Sequence, residues 1–441
     1  MPEQFRAQQL TLCDSVAESN TQNKTFTELN RAGRQAFDQA AYPNRKTEAW
    51  KYTSLRHLNE GVFAAEASSH SAAGLDGTAT IPALGSQRLV FVNGQLSKEL
   101  SSNEALQNLT LFSQANDEQR TLIDNHLDQI MAGQNRHLFN ELNNAQLTDG
   151  VLLHIGKNVQ QQQAIQVSWL TTQQATNFTV NCRLLVVVEQ GADVTLVEHY
   201  ASSEAEQNSF TNAVTEIAVG ANARLQHYRL NMAQEDALHI GATHVDLARD
   251  AHYQSFHLGL GSKLTRNDVV VNHNEGGSHV EMSGVYVPQH RQLVDFHTCI
   301  EHKVPRCTTN EVFRGIMNDN AKAVFNGRIH IHADAQKTLA EMSNKNLLLT
   351  NEAEINTKPE LEIYADDVQC AHGATVAQLE EKALFYMQSR GISKREAEVM
   401  LSFGFINELL EALPHEAIAN YLRPILAHRF GREQSLTRHI V

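Results

Sequence analysis

The sequence has 441 residues, with 50 aspartates and glutamates against 36 lysines and arginines and a net charge of −14. A chain this acidic repels phosphate backbones, so we expect no nucleic-acid partner. The longest aliphatic run, Leu184–Val188, is far too short to cross a membrane, and the first residues lack the pattern of a signal peptide. We therefore expect a cytoplasmic protein without membrane association. The five scattered cysteines contain no C-x-x-C pair, which argues against a disulfide framework or a self-contained zinc module.

The N-terminal third is predicted to be mainly helical. Apolar residues recur at helical spacing over Phe26–Ala40, and Pro43 then interrupts the pattern. A short strand is predicted at Leu89–Val92, directly before an Asn-Gly turn. Helical periodicity returns over Leu122–Met131. We therefore predict an N-terminal helical domain with a short β segment over residues 1–149.

The middle of the chain consists of short alternating apolar runs, with no helix-length period among them. Four similar turn-and-strand units begin at Glu189, Ala218, Ala248 and Asn274, which places their starts 29, 30 and 26 residues apart. Repeats of this size built only from strands are typical of a solenoid. A β-sandwich is the alternative, although more than 200 residues of strands would make a large one. The pattern favours a β-helix over residues 150–375.

Helical periodicity resumes after the strands and continues toward the C-terminus. A first helix is predicted to end at Gly391, and Ser393 with Glu396 has the form of a capping box for the next. A third helix is predicted over about His415–Leu426. We therefore predict a C-terminal helical domain over residues 376–441.

The sharpest chemical motif is Cys370-Ala371-His372. Residues two apart on a strand point to the same face, so this thiol and imidazole are able to reach one metal ion. Cysteine and histidine are suitable ligands for iron and zinc. A closed site usually needs four ligands, so the others must come from elsewhere in the fold or from a second chain. The alternative is a half-buried cysteine and an exposed histidine at a domain junction.

Other candidate ligands have weaker patterns. His330 and His332 lie on one strand face, but simple solvent exposure is the favoured interpretation. Cys299 and Cys307 flank Glu301, and their separation of eight residues matches no metal-ligand spacing. Motifs of serine hydrolases, zinc proteases and phosphate-binding loops are not found. Any nucleotide hydrolysis is therefore expected to belong to a partner.

Several strings resemble the SufB/SufD family of iron–sulfur cluster assembly proteins. They cover most of the chain and are Lys46–Leu55, Phe139–Asn143, Met317–Gly327, Asn344–Leu349, Lys358–Ile363, Asp366–Thr375 and Arg390–Phe405. The E-x-W-K-Y-T string at the N-terminus, the modest length and the scarcity of cysteine are similar to the SufD branch of this family.

The resemblance implies a right-handed parallel β-helix between N-terminal and C-terminal α-helical domains. It implies a non-catalytic scaffold that works with SufB and the ATPase SufC, joined to SufB through the β-helix and to SufC through residues 376–441. It places His372, together with Cys370, at the SufB interface. The implied cofactor is a transient iron ion or iron–sulfur cluster shared with SufB, with none bound tightly. Separately from the resemblance, the free end of a β-helix is compatible with a homodimer of the isolated chain.

Two enzymatic alternatives remain from the residues alone. A β-helix core is also found in carbohydrate-active lyases and hydrolases, which are usually secreted, unlike the expected location of this chain. The histidine-rich strands are also compatible with a cytosolic metal-binding enzyme. Turnover by the isolated chain, without any partner, would favour either alternative over a scaffold.

Overall fold

The structure is a computed structural model, and it describes residues 2–19, 24–102, 108–131, 133, 135–202, 208–233 and 236–431. The last ten residues of the predicted C-terminal domain, 432–441, lie outside the described residues. The domain boundaries at residues 149 and 375 stay predictions.

Helices occupy the two ends of the described chain. They are α1 (Pro2–Ser19), α2 (Lys24–Gln39), α3 (Arg56–Glu60), α4 (Asp76–Ala79), α5 (Asp117–His126), α6 (Leu138–Ala145), α7 (Glu381–Ser389), α8 (Lys394–Glu411) and α9 (Glu416–Gly431), with short 3-10 helices at Glu48–Trp50 and Phe112–Gln114.

The predicted helix ends are mostly found, each with a local cause. Gly391 follows α7 with a positive φ of 85°, which glycine adopts without steric cost. The capping box at Ser393 and Glu396 is present at the start of α8. The helix expected over Leu122–Met131 lies earlier in the chain than predicted: α5 is Asp117–His126, and Asp128 then takes a φ of 67°.

The strands form two sheets. The first contains β1 (Gln87–Val92), β2 (Gln95–Leu96), β5 (Ile165–Thr171), β7 (Asp193–Ser202), β9 (Arg224–Asn231), β11 (His252–Gly259), β13 (His279–Tyr286), β15 (Thr308–Met317), β17 (Leu339–Leu348) and β19 (Gln369–Ala377). The second contains β3 (Leu109–Leu111), β4 (Val151–Ile155), β6 (Phe178–Val188), β8 (Ser209–Val219), β10 (Leu238–Leu247), β12 (Leu264–His273), β14 (Leu293–His302), β16 (Lys322–Ile331) and β18 (Glu354–Ile363).

Each coil of the chain adds one strand to each sheet. Strands two apart in sequence order pair in parallel, as in β14 with β16 and β16 with β18, so odd strands build one sheet and even strands the other from β4 onward. This connectivity is a parallel β-solenoid. The predicted mainly β fold, with a parallel β-helix core and helices before and after it, is confirmed.

The space between the two sheets is the main hydrophobic core. Along β16, the side chains of Phe325, Ile329 and Ile331 are fully buried, whereas Arg328 and His330 on the other face are only partly buried. This alternation is the period of two that a half-covered strand requires. Burying each large apolar side chain contributes about 1.5–3 kcal/mol, so repetition over the coils stabilises the solenoid.

Most N-terminal helices cover the outer face of the second sheet, whereas α4, α8 and α9 cover that of the first. N-terminal residues such as Phe5 and Phe139 pack with Phe210 and Ile240 of the second sheet. C-terminal residues from α8 and α9 pack on the outer face of the first sheet, among them Ile406. Neither group, within the described residues, extends the sheets beyond β18 and β19.

The N-terminal segment Lys46–Leu55 packs the N-terminal region against the solenoid. Trp50 lies over the buried guanidinium of Arg266, 3.8 Å from its carbon to the ring centroid. Arg266 also donates to the Ala49 carbonyl at 2.6 Å and to Asp295 at 2.8 Å. A stacked, paired and buried arginine is a strong geometric constraint. This string therefore has a structural role, separate from the metal-ligand motif.

Candidate metal and partner site at the last coil

Cys370 and His372 lie on β19, the terminal strand of the first sheet. β19 pairs with β17 on one side, in a register that places Cys370 beside Ala340 and His372 beside Met342. Ala340 and Met342 are both buried in the core between the sheets. The thiol and the imidazole therefore continue the inward-facing row of side chains into the last coil, on one face of the strand.

The two side chains differ in their environment. Cys370 is half-buried and packs against the main core, and this burial raises the pKa of its thiol. His372 is exposed. A metal ion bound here would have to displace the proton of Cys370, since the thiolate is the ligating form.

Among the described residues, no third ligand lies close to the Cys370–His372 pair. In the described part of the chain, three histidine, cysteine or carboxylate groups come within metal-binding distance of one another at only one place, which does not include Cys370 or His372. Stable closed sites for zinc usually have four protein ligands. The pair is therefore an incomplete site as far as the described residues extend.

The strands at this end present free edges. Among the described residues, β18 and β19 each have a hydrogen-bonded neighbour on one side only. The apolar row between the sheets is also uncovered here: Ile363 is 41% exposed, whereas its register partner Ile331 in the preceding coil is 0% exposed. Val376 is 50% exposed in the same way. Unpaired edges with exposed apolar side chains favour the addition of another chain.

The structure assembles a second group of ligands that the sequence did not bring together. His330 Nδ1 lies 2.7 Å from Oε2 of Glu301, and His332 Nε2 lies 2.9 Å from the same oxygen. The interpretation of His330 and His332 as simply solvent-exposed is therefore wrong. Glu301 reaches them because it is the register partner of His330 on the neighbouring strand.

Glu301 lies in a mixed-charge environment. Burial raises the pKa of its carboxyl, but hydrogen bonds from His332 and His330 and the charge of Arg328 outweigh burial and lower it overall. Arg328 donates to Oε1 at 3.1 Å and also forms a bidentate pair with Glu362, at 2.9 and 2.8 Å. The Glu301 carboxylate is therefore ionised, and Arg328 holds it in place through Oε1.

A signal for this group was present in the sequence. Glu301 and His330 are 29 residues apart, which equals one of the spacings of the turn-and-strand units. In a solenoid, residues one coil apart become neighbours on adjacent strands. Applying the coil length to the histidine pair would have pointed to Glu301.

The C-terminal helices present a second surface. α8 is held to the solenoid by Arg314, which donates to the Phe405 carbonyl at 2.6 Å and pairs with Glu408. In contrast, no side chain of α7 is buried, and Phe385 and Tyr386 are 73% and 60% exposed. Two adjacent exposed aromatic residues are typical of a protein-binding surface.

These features define a β-solenoid protein whose last coil has no further strand paired to it among the described residues, and whose edge strand carries the candidate ligands Cys370 and His372. No helix in the described ranges has the length and apolar character needed to cross a bilayer.

Comparison with known proteins identifies the family. The model described as SUF system FeS cluster assembly, SufBD core domain, matches residues 170–405, and the SufBD protein N-terminal region matches residues 8–167. The chain belongs to the SufBD family, as the resemblance predicted, and a role in iron–sulfur cluster assembly follows from this membership.

Individual relatives extend over most of the chain. An iron-sulfur cluster assembly SufBD family protein of Synechocystis sp. is 32% identical and covers 93% of this chain and 92% of its own. The iron-sulfur cluster assembly protein SufD of Escherichia coli is 33% identical, covering 85% of this chain and 86% of its own. The protein of the same name from Bacillus subtilis is 27% identical over 66% of this chain and 67% of its own.

Proposed function

We propose that this chain is a non-catalytic scaffold subunit of a cytoplasmic complex with a SufB-like protein and a SufC-like ATPase. Family membership and the relatives named SufD support this proposal. The observation that carries it is the position of the Cys370–His372 pair, an incomplete ligand set on an unpaired edge strand.

The SufB-like partner is proposed to join at β18 and β19. The free backbone groups of both strands and the exposed Ile363 and Val376 provide hydrogen bonds and apolar area for added strands. A partner that continues the solenoid would also bring its own side chains next to His372. The missing ligands for transient iron, or for a nascent cluster, would then come from the partner.

The SufC-like ATPase is proposed to bind the C-terminal helices. The exposed Phe385 and Tyr386 on α7 are suitable anchors, since aromatic residues dominate protein interfaces energetically. ATP-driven closure of the ATPase would pull on these helices and strain the junction at β19. Because Cys370 is half-buried, such strain would expose its thiol to iron or sulfur.

The test is anaerobic co-expression of the full chain with its SufB-like and SufC-like partners. We expect a stable complex for the wild type and for His372→Ala and Cys370→Ala, with less iron and cluster in the variants, and least in His372→Ala. His290→Ala, which removes a half-exposed histidine elsewhere, is the matched control. An intact His372→Ala complex with undiminished cluster would remove this residue from the site. Failure of the wild type to form any complex would overturn the scaffold proposal.

A further inference from the structure

We propose that Glu301, His330 and His332 form a binding site for an exchangeable divalent transition-metal ion. The site lies on the outer face of the second sheet, on β14 and at the end of β16. It shares no residue with the Cys370–His372 pair, which is on β19 of the first sheet. The inference therefore goes beyond the proposed scaffold function.

The positions of the donor atoms are already close to those that a metal requires. Glu301 Oε2, His330 Nδ1 and His332 Nε2 all lie within 4.8 Å of one another. The imidazole rings are neighbours, with centroids 4.2 Å apart. A metal ion bonded to each atom at about 2.0–2.2 Å would hold them roughly 3–3.5 Å apart. The imidazoles and the carboxylate therefore need only small rotations to bind an ion between them.

Outer contacts hold the ligands in position. Arg328 occupies the other carboxylate oxygen of Glu301, at 3.1 Å, which leaves Oε2 as the ligating atom. Glu362 fixes Arg328 by its two hydrogen bonds and balances its charge. The ring of Tyr364 meets His330 edge-on at 5.5 Å. Contacts of this kind behind the ligands orient them and tune their affinity for a metal ion.

The ligand types indicate the class of ion. Two imidazoles and one carboxylate with open positions suit Fe²⁺ and Zn²⁺, whereas Mg²⁺ and Ca²⁺ prefer oxygen ligands alone. The ligands are only partly buried, with His332 the most exposed at 40%. Solvent therefore reaches the site from one side, and a bound ion would exchange rather than be trapped.

Cobalt binding to the full metal-free chain provides the test, because Co²⁺ has visible absorption bands that depend on its ligands. We expect one site of this class in the wild type, displaced by Zn²⁺ and not by Mg²⁺. His330→Ala, His332→Ala and Glu301→Gln should each weaken binding by more than about tenfold, because even the loss of a residue that only positions a ligand usually weakens binding by that much. Co²⁺ should also raise the melting temperature of the wild type but not of these variants.

Two kinds of control make the result specific. His279 and Glu281 form a similar pair at 3.3 Å, and no third ligand joins them in the described part of the chain, so His279→Ala should bind Co²⁺ like the wild type. His372→Ala and Cys370→Ala should also retain this site, which separates it from the proposed scaffold function. Unchanged far-ultraviolet circular dichroism of the metal-free variants would show that each is folded.

Three results would overturn the proposal. The first is a wild type that does not bind Co²⁺, which would leave Glu301 as a carboxylate hydrogen-bonded to His330, His332 and Arg328, with no role in metal binding. The second is cobalt binding that survives all three ligand substitutions. The third is loss of the cobalt bands in His372→Ala or Cys370→Ala, which would assign the ion to the edge strand.

Discussion

Glu311 is a fully buried carboxyl between the two sheets. Its Oε1 accepts a hydrogen bond of 2.6 Å from Thr298, and its Oε2 has no hydrogen-bond partner among the described residues. Burial raises the pKa of Glu311 to about 7, with the Thr298 hydrogen bond opposing the shift. Because an unfolded glutamate ionises near pH 4.5, the folded state holds the extra proton between these values. Stability is therefore lost as the pH rises through this window.

Replacing the Glu311 carboxyl with an amide should remove this loss of stability at higher pH. We expect the free energy of unfolding of Glu311→Gln, minus that of the wild type, to increase by on the order of 3 kcal/mol between pH 4.5 and pH 8. Urea unfolding at several pH values measures the difference, in which the opposite contributions of buried histidines such as His199 and His244 cancel. Glu341→Gln, an exposed position on β17, is the control. A constant difference between Glu311→Gln and the wild type would contradict this assignment.

At the scale of the elements, strand alternation was predictable and register was not. The period of two identified the middle strands and placed Cys370 and His372 on one face of β19. It did not join Glu301 to His330, because that contact depends on the coil length and on which strands are neighbours. The alternation of side chains assigns residues to the two faces of a strand, but it does not show which polar residues are buried between the sheets. Arg229 is one case, since it pairs there with Glu198 at 3.0 Å despite its charge.

Because helix α7 is exposed, substitutions on it should affect partner binding much more than stability. Since none of its side chains is buried, Phe385→Ser should change the free energy of unfolding by no more than about 0.5 kcal/mol. Loss of an aromatic anchor should nevertheless weaken binding of the SufC-like ATPase by more than about tenfold. Calorimetric titration measures this affinity, and Gln388→Ala on the same helix is the control. Unchanged affinity in both Phe385→Ser and Tyr386→Ser would move the ATPase interface away from α7.

Over the whole molecule, the two ends of the solenoid are built differently. At the first coil, the short antiparallel strands β2 and β3 terminate the two sheets. At the last coil, the terminal strands β18 and β19 are long, with 10 and 9 residues, and are unpaired on their outer edges in the described chain. Repeat proteins need capped ends to remain soluble. The asymmetry makes the last coil the end that another chain is expected to cover.

An isolated chain has only its own copies with which to cover that end. We therefore expect concentration-dependent dimerisation through β18 and β19, in a two-fold arrangement that pairs the same patch on both copies. Val376→Lys and Ile363→Lys place charges in the exposed apolar row and should shift sedimentation velocity profiles to monomer. Val159→Lys, at an exposed position near the first coils, should leave the dimer intact. Addition of the SufB-like partner should dissociate the wild-type dimer, because both chains compete for one edge. A dimer that survives both lysine substitutions would place self-association elsewhere on the molecule.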